Sequence, residues 1–328
     1  MTNIKIKEIA IYHPENHIPN DFFFQHFDKR GKDIRHLLKH VGRENRYWTD
    51  PDKKKETGIT MAIEASKKVL ENAHLTGKDI DMIIYSTQIP DQLIPMNALY
   101  IHQAINASNH SIAFDLNGNC IGMTLAVDFA ARYMQGNSRI QRALVIGSDH
   151  FSPILNPEDE LSYSLFGDLA SAVILESTEE SAGFIDSLHY TDSVNPNPIM
   201  FPVNGLVQTL KEQNDPYMKF EPFDASPMYP HVYDSMREIL NQHGLKPSDV
   251  KCCFSQSNKA ILQRIQENMG FHEDQIIFAA DKYGYPGTSS PFIALHEGIQ
   301  TGKIQHGDYV LFWTVGSVYE FITMLFKY

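Results

Sequence analysis

The 328-residue chain has few cysteines, no long apolar run and no excess of basic residues. Three cysteines are too few for a disulfide framework, which favours a reducing, cytoplasmic location. No stretch reaches the roughly 18 uncharged apolar residues of a membrane helix. Charges interrupt the apolar residues of the N-terminus, which predicts a strand there rather than a signal peptide. The formal net charge of −12 argues against a nucleic-acid or anionic-membrane surface, because such surfaces need clustered Lys and Arg.

Apolar strand patterns alternate with helical patterns in the first half of the chain. The predicted strands are residues 4–12, 81–87, 111–116, 143–149 and 171–177, and the predicted helices are 58–73, 96–106 and about 120–135. Such alternation predicts an α/β protein with a mostly parallel sheet covered by helices on both faces.

The second half of the chain resembles the first. HLTGKDIDMIIYSTQ (74–88) is similar to GLKPSDVKCCFSQSN (244–258), and MQGNSRIQRALVIGSD (134–149) is similar to IQTGKIQHGDYVLFWTVGS (299–317). Generic α/β likeness is the alternative explanation. Because the two matches occur in the same order, we interpret them as two similar halves, residues 1–178 and 179–328.

The segment SIAFDLNGNCIGMTLAVDFAARYMQG (111–136) carries the strongest chemical signal. A strand ends at Leu116, an Asn-Gly-Asn turn follows, and Cys120 is predicted to open a helix. A helix N-terminus offers unpaired N–H groups and partial positive charge, which stabilise a thiolate and lower its pKa. The same N–H groups can stabilise an oxyanion. Cys120 is therefore a candidate nucleophile, and a buried structural cysteine is the alternative.

DLNGNCIGMT resembles the nucleophile segment of β-ketoacyl-ACP synthase III, a family of the thiolase superfamily. Further similar segments follow in that family's order, namely FGDLASAVIL (166–175), SQSN (255–258), YGYPGTSSPFIALHEGIQTGKI (283–304) and TVGS (314–317). The resemblance extends from residue 4 to residue 328. It implies a thiolase fold, with two βαβαβαββ halves in five αβαβα layers, and a homodimer.

The resemblance also implies roles for individual residues. Cys120 would take an acyl group from coenzyme A or acyl carrier protein and then condense it with a malonyl thioester. The backbone N–H groups of Cys120 and Gly316 would form the oxyanion hole. Asn258 stands where the family contacts the pantetheine arm, and Ile94, before Pro95, stands where a side chain closes the partner's acyl pocket. Neither a permanently bound cofactor nor a metal is expected.

Two catalytic positions differ from the family. Ser255 stands in place of the catalytic His, and Tyr285 in place of the catalytic Asn. Hydroxyl groups donate hydrogen bonds but carry no positive charge, and loss of one such donor typically costs ~10²–10³ in rate. Acylation of Cys120 is thus expected to survive better than decarboxylation. Transfer to another acceptor would need a base, for which Tyr285, Ser255 and His150 are candidates.

The family's coenzyme A contacts are replaced as well. His36, His40, Pro153 and Ala260 stand where the family has a Trp and arginines, which removes ring stacking and bidentate phosphate binding. We therefore expect weak binding of free coenzyme A, or presentation of the acyl group by a carrier protein. Lys259 and Arg264 are candidates for a basic rim that would contact such a carrier.

These features predict an acyl-thioester transferase or condensing enzyme of lipid or polyketide-like metabolism. The alternative is a non-catalytic or regulatory partner subunit of a heterodimeric ketosynthase. His36 and His40 have the i, i+4 spacing of metal ligands, but the sequence offers no third ligand and a solvated helix face is favoured. Asp168 is interpreted as structural. Acyl-chain length, acceptor, donor and pathway stay open.

Overall fold

The structure of the protein is a computed structural model that describes residues 2–50, 52, 55–212, 216–317 and 319–328. The strands in these ranges are β1 (Asn3–Tyr12), β2 (His17–Pro19), β3 (Asn45–Tyr47), β4 (Met82–Ser86), β5 (Ile112–Leu116), β6 (Arg142–Asp149), β7 (Leu169–Thr178), β8 (Gly183–Asp192), β9 (Ile199–Met200), β10 (Lys219–Phe220), β11 (Val250–Phe254), β12 (Tyr309–Val315) and β13 (Tyr319–Lys327). The helices are α1 (Asn20–Asp28), α2 (Arg35–Val41), α3 (Gly58–Asn72), α4 (Ala98–Ala104), α5 (Gly122–Gly136), α6 (Glu160–Leu165), α7 (Leu206–Glu212), α8 (Tyr229–Gln242), α9 (Lys259–Met269), α10 (Ala280–Tyr283) and α11 (Ser290–Gln300).

The predicted elements of the first half lie within two residues of the observed ones. The start of α3 shows why the pattern was informative there. Thr57 accepts the Thr60 N–H, and the Thr60 side chain accepts the Thr57 N–H, so both N-terminal donors are paired where the apolar helical spacing begins.

The first sheet has the strand order β1-β7-β6-β4-β5. Strand β4 runs parallel to β5 and β6, whereas β7 runs antiparallel to both β6 and β1. The prediction of a mostly parallel sheet is therefore wrong. Helices α4 and α5 connect β4, β5 and β6 as crossovers and keep them parallel, but β7 returns beside β6 without a crossover, and β1 pairs with β7 in the same antiparallel manner.

The second sheet repeats this arrangement. Its order, β8-β13-β12-β11, matches β1-β7-β6-β4, with the same antiparallel, antiparallel and parallel pairings. An isolated parallel bridge between Cys252 and Ile276 occupies the place that β5 has in the first sheet. The predicted internal repeat is confirmed. The chain passes from one sheet to the other between β7 and β8, near residue 178, where the two halves were predicted to meet.

Helices and sheets form the five predicted layers. Helices α5 and α11 lie between the two sheets and share one apolar core with the inner faces of both. Helices α3 and α4 cover the outer face of the first sheet, and α8 and α9 cover the outer face of the second. The thiolase-fold prediction is confirmed. No helix within the described ranges has the length and apolar character needed to cross a membrane, and the cytoplasmic location stays a prediction.

Candidate active site

The turn between β5 and α5 places Cys120 at the carboxyl edge of the first sheet. The Asn117 side chain accepts the Asn119 N–H at 3.0 Å, and Asn119 has a left-handed φ of 50°. Helix α5 begins at Gly122, two residues later than predicted, so Cys120 lies in the turn rather than in the first helical turn. The first helical N–H groups are already used, since Gly122 donates to Asn119 O and Met123 donates to Thr288 Oγ1 at 2.7 Å.

The thiol of Cys120 does not have the lowered pKa that the helix N-terminus predicts. Burial is the main reason that the pKa of Cys120 is raised to about 12; hydrogen bonding to Tyr285 and Gln88 lowers the pKa in part, and the charge of Asp149 raises it. The prediction is therefore wrong for the resting site. The physical reason is that the apolar environment penalises the thiolate. The N-terminus of α5 stabilises it less, because its first N–H groups are already hydrogen-bonded.

Gln88 contacts Cys120 and was missed by the sequence analysis. The Cys120 thiol donates to Gln88 Oε1 at 3.6 Å between sulfur and oxygen. The buried Asp149 fixes Gln88 by accepting its backbone N–H at 2.7 Å and its Nε2 at 2.8 Å. Asp149 also accepts the Thr87 hydroxyl and the Thr288 N–H. Because Nε2 is held by the carboxylate, Oε1 must face the sulfur. The available signal was the polar run Ser86-Thr87-Gln88 directly after a buried strand.

Tyr285 reaches Cys120 from the second half of the chain. Its backbone is fixed on both sides, because its N–H donates to Leu165 O and its carbonyl accepts the Gly167 N–H. Its hydroxyl is a hydrogen-bonding neighbour of the Cys120 sulfur. Burial raises the pKa of Tyr285 well above its ordinary value, and the interaction with Cys120 adds to that rise. Tyr285 is therefore a proton donor at neutral pH, which disfavours it as a base.

Ser255 lies next to this pair and is buried. It approaches the Tyr285 hydroxyl closely enough to lower the pKa of Tyr285. Within the part of the chain that the structure describes, however, Ser255 Oγ has no hydrogen-bond partner of normal geometry. The Ser255 N–H donates to Trp313 O at 2.7 Å, which fixes the residue at the end of β11. The structure thus brings together the positions aligned with the family's Cys, His and Asn.

The N–H of Gly316 already has a hydrogen-bond acceptor, whereas the resemblance implies that it is free to bind an oxyanion. It donates to Glu320 O at 2.8 Å in the turn between β12 and β13, so this N–H is already bonded within the protein, and its role as an oxyanion donor stays a prediction. Along an antiparallel ladder, successive N–H groups point to opposite sides of the strand. The Val315 N–H therefore points away from β13, towards the side where β11 has already ended at Phe254. Cys120 lies nearby, since Thr314 Oγ1 donates to Cys120 O at 3.4 Å.

Gln88, Cys120, Tyr285 and Gly316 line one mostly apolar cavity with a volume of about 310 Å³. The lining residues include Gln88, Cys120, Phe151, Leu165, Phe166, Met218, Phe220, Phe223, Met228, Asn258, Ile261, Tyr285, Trp313, Val315 and Gly316. Asn258, the predicted pantetheine contact, caps α9 by accepting the Ala260 N–H at 2.9 Å. Ile94 does not line the cavity. Its side chain is 89% exposed, and it precedes a cis bond to Pro95.

The remaining candidates lie outside the cavity. His150 Nε2 bonds Thr49 Oγ1 at 2.8 Å, and so packs in a loop instead of serving as a base at Cys120. Asp168 accepts the N–H groups of Thr49 and Ser152, which is the pattern of a structural clamp. His36 and His40 are exposed on α2. The described residues contain no group of three His, Cys, Asp or Glu side chains arranged to bind a metal ion.

The fold and the cysteine turn together define a thiolase-fold protein, and comparisons with known proteins agree. A family model of 3-oxoacyl-[acyl-carrier-protein] synthase III matches residues 114–193, and a model of the C-terminal part of the same family matches residues 240–328. These two regions make up just over half of the chain. A curated β-ketoacyl-[acyl-carrier-protein] synthase III from Clostridium perfringens is 29% identical over 316 residues and covers 95% of each chain.

Solved structures show the same fold. The 3-oxoacyl-[acyl-carrier-protein] synthase III of Aquifex aeolicus superposes with a TM-score of 0.87 at 24% identity over 100% of both chains. The priming β-ketosynthase of the R1128 polyketide pathway superposes with a TM-score of 0.87 at 20% identity, over 99% of this chain and 96% of that one. The chain belongs to the 3-oxoacyl-ACP synthase III family of acyl-transferring condensing enzymes.

Proposed function

We propose that the protein is an acyl-thioester transferase or condensing enzyme of lipid or polyketide-like metabolism that carries its acyl group on Cys120. One observation carries the proposal, namely that Cys120 lies at the wall of an apolar cavity with Gln88, Tyr285 and Asn258. An apolar cavity excludes water from an acyl chain, and the adjoining polar groups can position a thioester. The curated relative from Clostridium perfringens is a β-ketoacyl-[acyl-carrier-protein] synthase III, and the match covers 95% of each chain.

In the proposed acylation step, the Cys120 sulfur attacks the carbonyl carbon of an acyl thioester. A bond forms between sulfur and carbon, the bond to the donor thiol breaks, and the Cys120 proton ends on the departing sulfur. The Tyr285 hydroxyl neighbours the reacting sulfur, so it is the group best placed to relay that proton. The N–H groups of Cys120 and Val315 would stabilise the oxyanion in place of the committed Gly316 N–H.

The acyl-enzyme has two proposed fates. It condenses with a malonyl thioester, with release of carbon dioxide, or it passes the acyl group to another acceptor. The hydroxyls of Ser255 and Tyr285 can donate to an enolate oxygen but carry no charge, so we expect slower decarboxylation than a His and Asn pair would give. Because the pKa of Tyr285 is raised, a donor role suits it better than that of a base for the second fate.

The donor is proposed to be acyl-CoA or an acyl carrier protein. Lys259 and Arg264 are exposed on α9, which begins at the cavity wall beside Asn258. Lys259 lies 5.6 Å from the Phe278 ring centre and Arg264 lies 4.6 Å from that of Tyr229, so both cations are held at defined places. Such a rim suits an acidic carrier protein, which the net charge of −12 would otherwise repel.

We infer a homodimer, with a heterodimer as the alternative. Strand β5 is the free edge of the first sheet, and an unpaired edge offers hydrogen bonds to another strand. Exposed apolar side chains lie on the segment that precedes it, with Leu93 61%, Ile94 89% and Leu99 43% exposed. A second copy that covers this segment would bury Ile94, as the resemblance implies.

A second candidate function is a partner subunit of a ketosynthase heterodimer that does not itself react. Two observations favour it. Burial raises the pKa of Cys120 to about 12, which disfavours the thiolate, and the Gly316 N–H is already bonded to Glu320. A non-reacting subunit needs neither a thiolate nor a free second oxyanion donor.

Intact mass after incubation with acyl-CoA and acyl-carrier-protein thioesters of several chain lengths separates the two candidates. We expect an acyl adduct on the wild-type chain and on Cys252→Ala. The latter is the matched control, because Cys252 is buried in the apolar core between the second sheet and helices α8 and α9. The adduct should be absent from Cys120→Ala. No adduct with any donor would overturn the enzymatic proposal. Addition of malonyl thioester to the acylated protein, with measurement of carbon dioxide, then decides between condensation and transfer.

A further inference from the structure

The Gln88 amide lies beside the nucleophile and has one hydrogen-bond donor without a partner. A primary amide carries two N–H groups and one carbonyl oxygen. The Gln88 carbonyl oxygen Oε1 accepts the Cys120 thiol at 3.6 Å, and Nε2 donates to Asp149 Oδ2 at 2.8 Å. Among the residues that the structure describes, Nε2 has no second acceptor. One N–H of the amide is therefore available to a ligand.

A ligand in the cavity can reach this amide. Gln88 is only partly buried, and both Gln88 and Cys120 line the cavity. The amide contacts the Cys120 sulfur itself. The carbonyl oxygen of an acyl group on Cys120 is attached to the carbon that Sγ carries, so this oxygen comes close to the Gln88 amide.

Asp149 fixes which end of the amide faces which neighbour. A half-turn about the last side-chain bond of Gln88 would exchange Nε2 and Oε1, and Oε1 would then face the Asp149 carboxylate. That carboxylate already accepts the backbone N–H groups of Gln88 and Thr288, so it offers Oε1 no proton. The amide is thus oriented before a substrate binds, as stabilisation of a developing charge requires.

Gln256 shows the arrangement of a glutamine amide that has only a structural role. Gln256 is completely buried, and its Nε2 donates to Phe254 O at 2.8 Å and to Ile277 O at 3.1 Å. Its Oε1 accepts the Ala279 N–H at 2.8 Å. Every polar group of this amide is used within the protein. Gln88, by contrast, keeps an unused N–H at the place where the proposed chemistry occurs.

The proposed reaction needs such a donor. Attack of the Cys120 sulfur on a thioester turns the carbonyl oxygen into an oxyanion, which hydrogen-bond donors stabilise. The Gly316 N–H is bonded to Glu320 O. The Tyr285 hydroxyl is proposed to relay a proton. An amide N–H is a neutral donor that does not titrate, so it can serve the oxyanion at any pH.

We propose that Gln88 is a catalytic residue whose free Nε2–H donates a hydrogen bond to the carbonyl oxygen of the acyl group on Cys120. This inference rests on the proposed function, because it assumes that Cys120 takes its acyl group from a thioester. Sγ gains the acyl carbon, and the donor thiol leaves with the Cys120 proton. Gln88 keeps its own protons throughout.

The test compares two reactions of the same sulfur in Gln88→Met, which keeps the length of the side chain and removes the amide. Acylation by hexanoyl-pantetheine passes through an oxyanion, whereas alkylation by iodoacetamide displaces iodide and forms none. We expect the second-order rate of acylation to fall about 100-fold or more, and that of alkylation to change less than about fivefold. Equal changes in the two rates, or an unchanged rate of acylation, would overturn the proposal, because an altered fold or thiol pKa acts on both reactions.

Gln256→Met is the matched control, because it also removes one amide, but both of the lost N–H groups are bonded within the protein. Both rates are measured per folded molecule. The ratio of acylation to alkylation in Gln256→Met should stay within about twofold of wild type. A ratio as low as that of Gln88→Met would contradict the assignment, since the loss of any glutamine amide would then suffice.

Infrared spectroscopy of the acyl-enzyme gives a readout that does not depend on rates. The isotope-labelled carbonyl of a hexanoyl group on Cys120 should absorb at a higher wavenumber in Gln88→Met than in wild type, because loss of a hydrogen bond strengthens the C=O bond. Gln256→Met should absorb as wild type does. The same wavenumber in Gln88→Met and wild type would refute the hydrogen bond.

The two proposals fail in different ways. If no thioester acylates the wild-type protein, the proposed function and the role of Gln88 fall together. If wild type is acylated and Gln88→Met reacts at the wild-type rate, the enzymatic proposal stands and only the role of Gln88 is refuted.

Discussion

The two halves of the chain share one topology, but the buried polar groups near the cavity form a paired wall at the end of the first sheet and an unpaired wall at the end of the second. At the end of the first sheet, the buried Asp149 accepts hydrogen bonds from Thr87, Gln88 and Thr288, and Gln88 in turn accepts from Cys120. At the end of the second sheet, Ser255 Oγ and Trp313 Nε1 are buried and have no partner of normal geometry in the described ranges, although Ser255 lies beside the Tyr285 hydroxyl. The paired groups fix Gln88 beside the nucleophile, whereas the unpaired groups hold no neighbour through a hydrogen bond of normal geometry.

The largest expected effect comes from breaking the paired wall. Asp149→Asn puts an amide NH₂ group where the carboxylate accepts N–H donors from Gln88 and Thr288. At least one buried donor then loses its acceptor, so we expect the free energy of unfolding to fall by about 2–4 kcal/mol. Urea unfolding measures this change. Acylation of Cys120 should also slow, because nothing fixes the Gln88 amide.

Asp168→Asn is the control for this change. Asp168 is equally buried, but it accepts the N–H groups of Thr49 and Ser152, whereas Asp149 accepts those of Gln88 and Thr288. Asp168→Asn should lose comparable stability and keep the acylation rate per folded molecule. A normal acylation rate in folded Asp149→Asn would show that the paired wall does not position the nucleophile.

The next effect concerns the proton on Cys120. With a pKa raised to about 12 by burial, the thiolate fraction at pH 7 is very small and rises about tenfold with each pH unit. The rate of Cys120 alkylation by iodoacetamide, followed by mass spectrometry, should therefore climb from pH 7 to pH 10 without a plateau. A plateau below pH 9 would mean that the resting site holds a thiolate.

Tyr285→Phe sharpens the same measurement. Hydrogen bonding to Tyr285 lowers the pKa of Cys120, so removal of the hydroxyl raises that pKa and slows alkylation at every pH in the range. Val315→Ala changes the wall without removing a hydroxyl and serves as the control, with no shift of the pH profile expected. Faster alkylation in Tyr285→Phe would reverse the sign of the proposed interaction.

The sequence predicted the scaffold better than the chemistry. Periodic apolar patterns located β4 and α3, because local spacing and caps determine where such elements begin and end. The turn that holds Cys120 was also visible. The direction of its pKa was not, because desolvation depends on residues distant in sequence, such as Phe151 and Trp313, that enclose the cavity.

The sequence also could not predict which groups form hydrogen bonds with each other, because the partners are distant in sequence. The resemblance paired Gly316 with Cys120, and both residues line the cavity. It could not show that the Gly316 N–H is bonded to Glu320 O, because that depends on the register of β12 and β13. The Gln88 contact likewise arises from the meeting of β4 and β6 at one sheet edge, which no single motif encodes.

The smallest expected effect tests the unpaired wall. Ser255→Ala removes a buried hydroxyl that has no bond of normal geometry in the described part of the chain, so the free energy of unfolding should stay within about 0.5 kcal/mol of wild type or rise slightly. Thr288→Val is the matched change in the paired set, because Thr288 Oγ1 accepts the Met123 N–H at 2.7 Å. Thr288→Val leaves the buried Met123 N–H without an acceptor, so the free energy of unfolding should fall by about 1–3 kcal/mol. If Ser255→Ala instead destabilised the protein as much as Thr288→Val, the Ser255 hydroxyl would have a partner within the fold, and the contrast between the two walls would not hold.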